Sequence, residues 1–291
     1  MPDPSTVLLI GAGGLVGRHL RRALADMPTI PTFHGGGSGA GLQLDITDHE
    51  AVRRTIREAK PDVILLAAAD PYVERCEREP DATRRVNVDA PRAIATESKA
   101  AGALLVVFSS EYVFDGTAGR YDENDERRPI NEYGRQKVEL EDLALATGNA
   151  LVCRTSGVFG ADPQRKNFVW QLVDRLRAGQ TFDVPSDQLI TPTYAPALAD
   201  AVVRLVRLGH RGIFHLAGPR ILGRMDFAQL VADAYALPAE LLRPRVTKEL
   251  GLAAPRPLRC GLEVDKLRQT FGTDLTAPDV GLREMMLAEA T

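Results

Sequence analysis

Val7-Leu8-Leu9-Ile10-Gly11-Ala12-Gly13-Gly14-Leu15-Val16-Gly17-Arg18 is the stretch whose reading decides the fold. Its first four residues are apolar without alternation, as in a strand covered on both faces. Glycines then break the run, and Val16, Leu20, Ala23 and Leu24 follow on one helical face as far as Met27. A buried strand, a tight turn and an amphipathic helix make one unit. The question is whether the unit repeats.

It does. Ile30–Phe33 is a second apolar run, leading into the glycine-rich Gly35–Gly39. Thr47-Asp48-His49-Glu50 has capping-box spacing before Val52, Ile56 and Ala59, and Pro61 stops that helix. Asp62–Ala67 is the next strand, and Asp70-Pro71 places an N-cap before a proline. A helix over Ala82–Ala101 closes at Gly102, strand Leu104–Phe108 follows, and a helix over Glu132–Ala146 precedes strand Ala150–Cys153. Beyond residue 155 the pattern predicts helices over Asn167–Arg177 and Tyr194–Leu208 and a late strand, Gly212–Leu216. Prolines 238, 244, 255 and 257 then mark short helices. The predicted fold is α/β, a Rossmann-type doubly wound parallel sheet with a smaller, mostly helical C-terminal substrate lobe. Residues 1–155, with segments near 181–216, form the dinucleotide-binding half; residues 156–180 and 217–291 form the lobe.

Composition narrows the function. A net charge of −3 and 5% aromatic residues supply neither the basic field nor the stacking platforms that hold nucleic acid. Cys76, Cys153 and Cys260 lie far apart and read as buried thiols, and the five histidines lack metal-ligand spacing, so no metal is expected. The longest apolar stretches, Val63–Ala69 and Ala103–Phe108, are too short to cross a bilayer. With no signal-peptide pattern at Met1–Pro4, the expected location is cytoplasmic.

The glycine loop opens a helix whose N-terminus attracts a pyrophosphate. Its glycines read GxxGxxG at Gly11, Gly14 and Gly17, so Gly11, Gly13, Gly14, Leu15, Val16, Gly17 and Arg18 are candidate cofactor contacts. No acidic residue lies between Asp26 and Asp45, which leaves room for a 2′-phosphate near His34, Ser38 and Arg18. NADP or NAD fits, with NADPH slightly favoured. Tyr133 and Lys137 form a YxxxK one helical turn apart, and Ser109-Ser110 follows the fourth long strand. A hydroxyl, a phenol and an ammonium in that order suit carbonyl reduction: one polarises the oxygen, one donates a proton, one tunes the donor.

These motifs resemble the extended short-chain dehydrogenase/reductases, and closely the dTDP-4-dehydrorhamnose reductase branch. The resemblance rests on Leu44–Asp48, Ala67–Ala69, Ser109–Gly116, Asn131–Lys137, Arg154–Gly160, Lys166–Phe168, Asp187-Gln188 and Pro192–Tyr194. It implies reduction of a 4-keto group on a nucleotide-activated deoxy sugar. Ser110 would hold the carbonyl, Tyr133 would donate the proton, and Lys137 would bind the nicotinamide ribose and lower the tyrosine pKa. Asp45 and Ile46 would sit at the adenine; Ala67, Ala68, Ala69 and Ser109 would line the cofactor's path. Substrate contacts would come from Asp70, Tyr72 and Val73, from Glu111 and Tyr112, from Gly157, and from Lys166, Asn167 and Gln188. Two residues depart from the family: Glu111 stands where aspartate is usual, and Gly157 stands where rhamnose-forming members carry tryptophan.

A nucleotide-sugar epimerase or dehydratase of the same superfamily is the alternative enzyme. The stretch Asp70–Glu79 with Ser109–Gly116 also resembles the regulatory beta subunit of methionine adenosyltransferase, a non-catalytic module. A homodimer is expected by analogy alone. Among the remaining polar residues, Asn87 stands where the resemblance implies a polar group near the active site but reads rather as an ordinary helix hydrogen-bonder, and Tyr121–Arg128 reads as a solvated loop that borders the crevice and could gate it. Trp170 reads as lobe packing and Arg154 as the partner of a carboxylate or carbonyl.

Overall fold

Seven parallel strands form the central sheet of the computed structural model, which describes residues 6–35 and 41–289. They are β1 (Val7–Ile10), β2 (Thr29–Phe33), β3 (Leu42–Gln43), β4 (Val63–Leu66), β5 (Leu104–Ser110), β6 (Ala150–Thr155) and β7 (Gly212–His215). The order β7-β6-β5-β4-β1-β2-β3 reverses between β1 and β4, which is where an open α/β sheet binds its ligand. The registers Ile10↔Leu66 and Leu66↔Val107 bring those strands to a common edge. Ser38, expected near a 2′-phosphate, lies outside the described residues.

The unbroken apolar runs have a direct cause. Val7 and Leu9 pack on one face with α1 (Leu15–Ala23) and α5 (Ala195–Arg207), while Leu8 and Ile10 pack on the other. That second face is covered by α2 (His49–Ala59), α3 (Ala90–Ala101) and α4 (Glu132–Leu145). A third cluster, including Phe159, Trp170, Phe227 and Met285, holds helices Phe168–Arg177, Arg224–Ala234 and Pro278–Glu289 together. Trp170 is core packing there, edge-on to Tyr235. Phe182–Pro185 pairs with Leu242–Arg245, and Leu189–Ile190 with Leu222–Gly223, outside the central sheet.

Several local expectations are corrected. The cap of α2 is Asp48, whose carboxylate accepts the amides of Glu50 and Ala51; Thr47 instead donates its hydroxyl to Asp45. Asp70 caps no proline-led helix, because the helix starts at Val73 and Asp70 binds the Tyr72 amide and Arg75. The predicted helix 82–101 contains a π-helical turn, Arg85–Asp89. The stretch 121–128 is exposed at Asp122, Asn124, Asp125, Glu126 and Arg128, as a solvated loop would be, but it is anchored through its other residues. Tyr121 pairs with Leu262 and stacks on Phe114 at 4.3 Å, Glu123 accepts the His215 amide, and Arg127 binds Glu141 and Asp142.

His215 is fully buried at the end of β7, with Nδ1 3.0 Å from the Glu263 carbonyl and Nε2 3.4 Å from Arg154. A guanidinium only donates, so Nε2 accepts and Nδ1–H donates to Glu263: the ring is neutral. Burial, then the Arg154 charge, pulls its pKa from 6.5 to about 3. Between those values the unfolded chain binds a proton that the folded protein excludes, so stability falls as pH drops through that window. Urea unfolding from pH 7 to 4 will show this loss, approaching about 1.4 kcal/mol per pH unit for one proton. His215→Gln will show a slope shallower by up to that amount; an unchanged slope would contradict the assignment.

Candidate active site

The turn from β1 to α1 is built on contacts too close for side chains. Gly11 adopts φ +91°, and a Cβ there would lie 2.5 Å from the Ala68 amide nitrogen; a Cβ on Gly17 would lie 2.1 Å from the Gly11 carbonyl oxygen. Gly14 differs, since its nearest neighbour would be 3.7 Å away. It is the N-cap of α1, with no side-chain cap and no acidic residue in the first turn. The open amides therefore suit an anion.

This turn borders a cavity of about 700 Å³ over the strand ends, lined by Gly11, Gly13, Gly14, Arg18, His34, Asp45, Ile46, Ala67–Asp70 and Tyr72. Those predicted residues are brought together. Leu15, Val16 and Gly17 are not among the lining: Val16 packs on the core and Gly17 serves the helix–turn contact. Arg21, Phe33 and Gln164 join the wall without having been anticipated. The Arg21 guanidinium lies 5.5 Å from the Phe33 ring centre, adding positive charge beside His34. A nicotinamide dinucleotide fits the cavity's size, its glycine cradle and its basic end. Asp45 is held ionised there by hydrogen bonds from the Thr47 hydroxyl and amide.

Beyond the cavity, β5 and α4 present a second cluster. Ser110 caps the short 3-10 segment Glu111–Val113, accepting the Tyr112 amide, and its Oγ lies 2.7 Å from Glu111 Oε2. Tyr133 faces the Ser110 hydroxyl and meets the Tyr112 ring edge-on at 5.6 Å. Lys137 donates to the Phe108 carbonyl at 2.9 Å, with Nζ 5.5 Å from the Tyr133 ring centre. Burial pulls Lys137 down to about 8. Burial also pushes Tyr133 above its ordinary value, with Glu111, Tyr112 and Cys76 adding to the rise. Desolvation outweighs the opposing Ser110 hydrogen bond, and Tyr133 is a protonated phenol at neutral pH. Ser109 is buried behind this cluster, its hydroxyl without a hydrogen-bond partner.

Asn87 ties the two parts together. In the π-helical turn, its Oδ1 accepts the Asp70 amide, while Nδ2 donates to the Asp70 carbonyl and to Gln136 of α4. It is therefore a clamp between the cavity's Asp70 turn and the Tyr133 helix, not an ordinary helix hydrogen-bonder. The π insertion re-aims the side chain, which a uniform helical reading could not foresee.

On the lobe side, Asn167 caps helix Phe168–Arg177 and donates to the Gly160 carbonyl, so both ends of its amide are engaged. Lys166 is exposed, Val73 opens its helix outside the cavity lining, and Gln188 is buried with Nε2 on Thr247. Gly157 has φ +52°, and a Cβ there would lie 3.4 Å from Ile190. Tryptophan at this position would cost about 1–2 kcal/mol in backbone strain alone. Arg224, whose charge acts on both Glu111 and Tyr112, was not anticipated, because the C-terminal stretch carries no matched motif. Among the described residues no group of three or more His, Cys, Asp or Glu side chains could hold a metal ion, and no helix is long and apolar enough to cross a membrane.

The sequence model of the RmlD substrate binding domain matches residues 5–290. The chain belongs to the RmlD substrate binding domain family. It is 36% identical over 259 residues to a dTDP-4-dehydrorhamnose reductase of Mycolicibacterium smegmatis, covering 86% of this chain and 76% of that one. It is 31% identical to the methionine adenosyltransferase 2 subunit beta of Pongo abelii, covering 96% and 86%. Among solved structures, the dTDP-4-dehydrorhamnose reductase of Bacillus anthracis in complex with NADP matches with a TM-score of 0.89 and 26% identity, over 98% and 99% of the two chains.

In this RmlD-family chain the glycines separate binding from folding. Gly14→Ala will leave thermal unfolding near the parent's and weaken NADPH binding in a fluorescence titration. Gly17→Ala will lower stability by about 1–3 kcal/mol, as overpacking does. Equal effects of the two substitutions on unfolding would contradict the assignment.

Proposed function

We propose that the chain is an NADPH-dependent reductase of the 4-keto group of a nucleotide-activated deoxy sugar. The observation that carries this reading is the convergence of Ser110, protonated Tyr133 and Lys137 behind a dinucleotide-sized cavity. The names of the Mycolicibacterium and Bacillus relatives, and the NADP in the latter's structure, support it.

The pyrophosphate would rest at Gly13-Gly14 and the α1 amides, with Arg18, Arg21 and His34 at the phosphate-bearing end. When bound, NADPH supplies a hydride. Ser110 donates a hydrogen bond to the carbonyl oxygen, and Tyr133 gives that oxygen its proton as the carbon is reduced. The resulting phenolate is balanced by Lys137, which remains an ammonium below about pH 8. A phenol held neutral by burial suits the reductive direction, because reduction starts from the protonated donor. Asp70, Tyr72, Glu111, Tyr112, Gly157 and Gln188 would shape the sugar-nucleotide side, and the glycine at 157 suits a sugar other than the one that tryptophan-bearing members select.

The methionine adenosyltransferase likeness supports a second reading, a regulatory module bound to a synthetase subunit. The assay that separates them is oxidation of NADPH by dTDP-4-keto-6-deoxy sugars. Turnover will appear, and Tyr133→Phe will lower it by about 10²–10⁴-fold while NADPH still binds. Binding of NADPH without turnover on any such sugar, together with stable capture of a purified methionine adenosyltransferase catalytic subunit, would overturn the reductase reading.

A further inference from the structure

Glu111 shares a hydrogen bond with the hydroxyl that must serve the substrate. Ser110 Oγ has one proton and two lone pairs. One lone pair accepts the Tyr112 amide at 3.3 Å, and Glu111 Oε2 lies 2.7 Å away in another direction. Only one direction remains, toward Tyr133. An ionised Glu111 can only accept, so it takes the sole Ser110 proton and leaves the carbonyl oxygen without that donor. A neutral Glu111 carboxyl donates into the second lone pair, and the Ser110 proton is free to point at the substrate.

We propose that Glu111 acts in its protonated form as a positioning residue, donating to Ser110 Oγ so that Ser110 can donate to the substrate carbonyl, and that its ionisation switches this donation off. The proposal rests on the reductase reading and adds a regulator to that site. No O–H bond breaks at Ser110 or Glu111 in the cycle; the proton consumed comes from Tyr133.

The surroundings favour the neutral acid. Glu111 is buried, and the groups facing it come from every neighbouring element: Ser110 from β5, Tyr112 from its own segment, Tyr133 from α4, Ser156 after β6 and Arg224 from helix Arg224–Ala234. The Cys260 thiol from strand Cys260–Leu262 donates to the Glu111 backbone carbonyl at 3.0 Å. The serines and Arg224 favour the carboxylate, but desolvation outweighs them and raises the Glu111 pKa. An aspartate on the same backbone would be one methylene shorter, whereas the glutamate side chain reaches Ser110 Oγ at 2.7 Å.

The test is the pH profile of kcat for the parent, Glu111→Gln, Ser110→Ala and the double variant, with dTDP-4-keto-6-deoxy sugar and NADPH. Glutamine keeps an N–H donor for Ser110 at every pH. Whatever its absolute rate, the pH at which its turnover declines will therefore move up from the parent's to the limit that Lys137 sets near 8. Ser110→Ala will lose about 10²-fold, as loss of one such donor does, and adding Glu111→Gln to it will change nothing. A decline at the same pH in parent and Glu111→Gln, or a glutamine effect that persists without Ser110, would overturn the proposal. Infrared titration of the folded protein needs no turnover: a protonated carboxyl band, absent in Glu111→Gln, will persist above the ordinary glutamate range. A Glu111 that ionises within that range would overturn the proposal even where the reductase stands. Absence of turnover in the parent with the band present would count against the reductase reading alone.

Discussion

Arg154 and Glu141 meet in a bidentate pair, both nitrogen–oxygen distances 2.8 Å, and neither side chain reaches water. Arg127 adds a second guanidinium to the same carboxylate, and neutral His215 accepts from Arg154 on the far side. A pair of this kind adds little net stability over an apolar replacement, yet breaking it strands a buried charge at a cost of about 3–5 kcal/mol. Its consequence is positional. Glu141 lies on α4 and Arg154 on β6, so the helix bearing Tyr133 and Lys137 is pinned to the sheet.

Two further contacts fix the other end of that helix. Asn131 caps it through the Gly134 amide and donates to the Pro255 carbonyl. Gly134 itself admits no side chain, since a Cβ there would lie 2.2 Å from the Tyr112 carbonyl oxygen. The helix bearing Tyr133 and Lys137 thus abuts the 3-10 segment after Ser110 backbone to backbone. Phenol, hydroxyl and ammonium are brought together by packing before any ligand arrives, which is the pre-organisation that electrostatic catalysis requires.

What the sequence made legible follows from periodicity. Strands such as Val63–Leu66 declare themselves because both faces are buried, and Gly102 and Gly148 mark helix ends through the left-handed backbone they adopt. YxxxK and the glycine turn were legible because their chemistry depends on spacing along one element. Asn87 was not, because a single π turn rotates it off the face a regular helix would give it. Arg224 was not, because it reaches Glu111 from a helix more than 100 residues along the chain. The burial that raises the Tyr133 pKa was not legible either, because Lys137 is visible in sequence whereas desolvation is not.

Electrostatically, burial raises the pKa of Tyr133 and of Glu111 and lowers that of Lys137 only to about 8, so the phenol and the ammonium both carry their protons at neutral pH. In the proposed reduction such a site would give a proton to the oxygen while a hydride reaches the adjacent carbon. The most direct test follows the label from NADPH carrying deuterium at the transferable C4 position of its nicotinamide. Incubated with a dTDP-4-keto-6-deoxy sugar, the protein should yield an alcohol with one deuterium on the former carbonyl carbon. An altered sugar whose carbon carries only solvent hydrogen, or none altered while the labelled cofactor stays intact, would contradict the account.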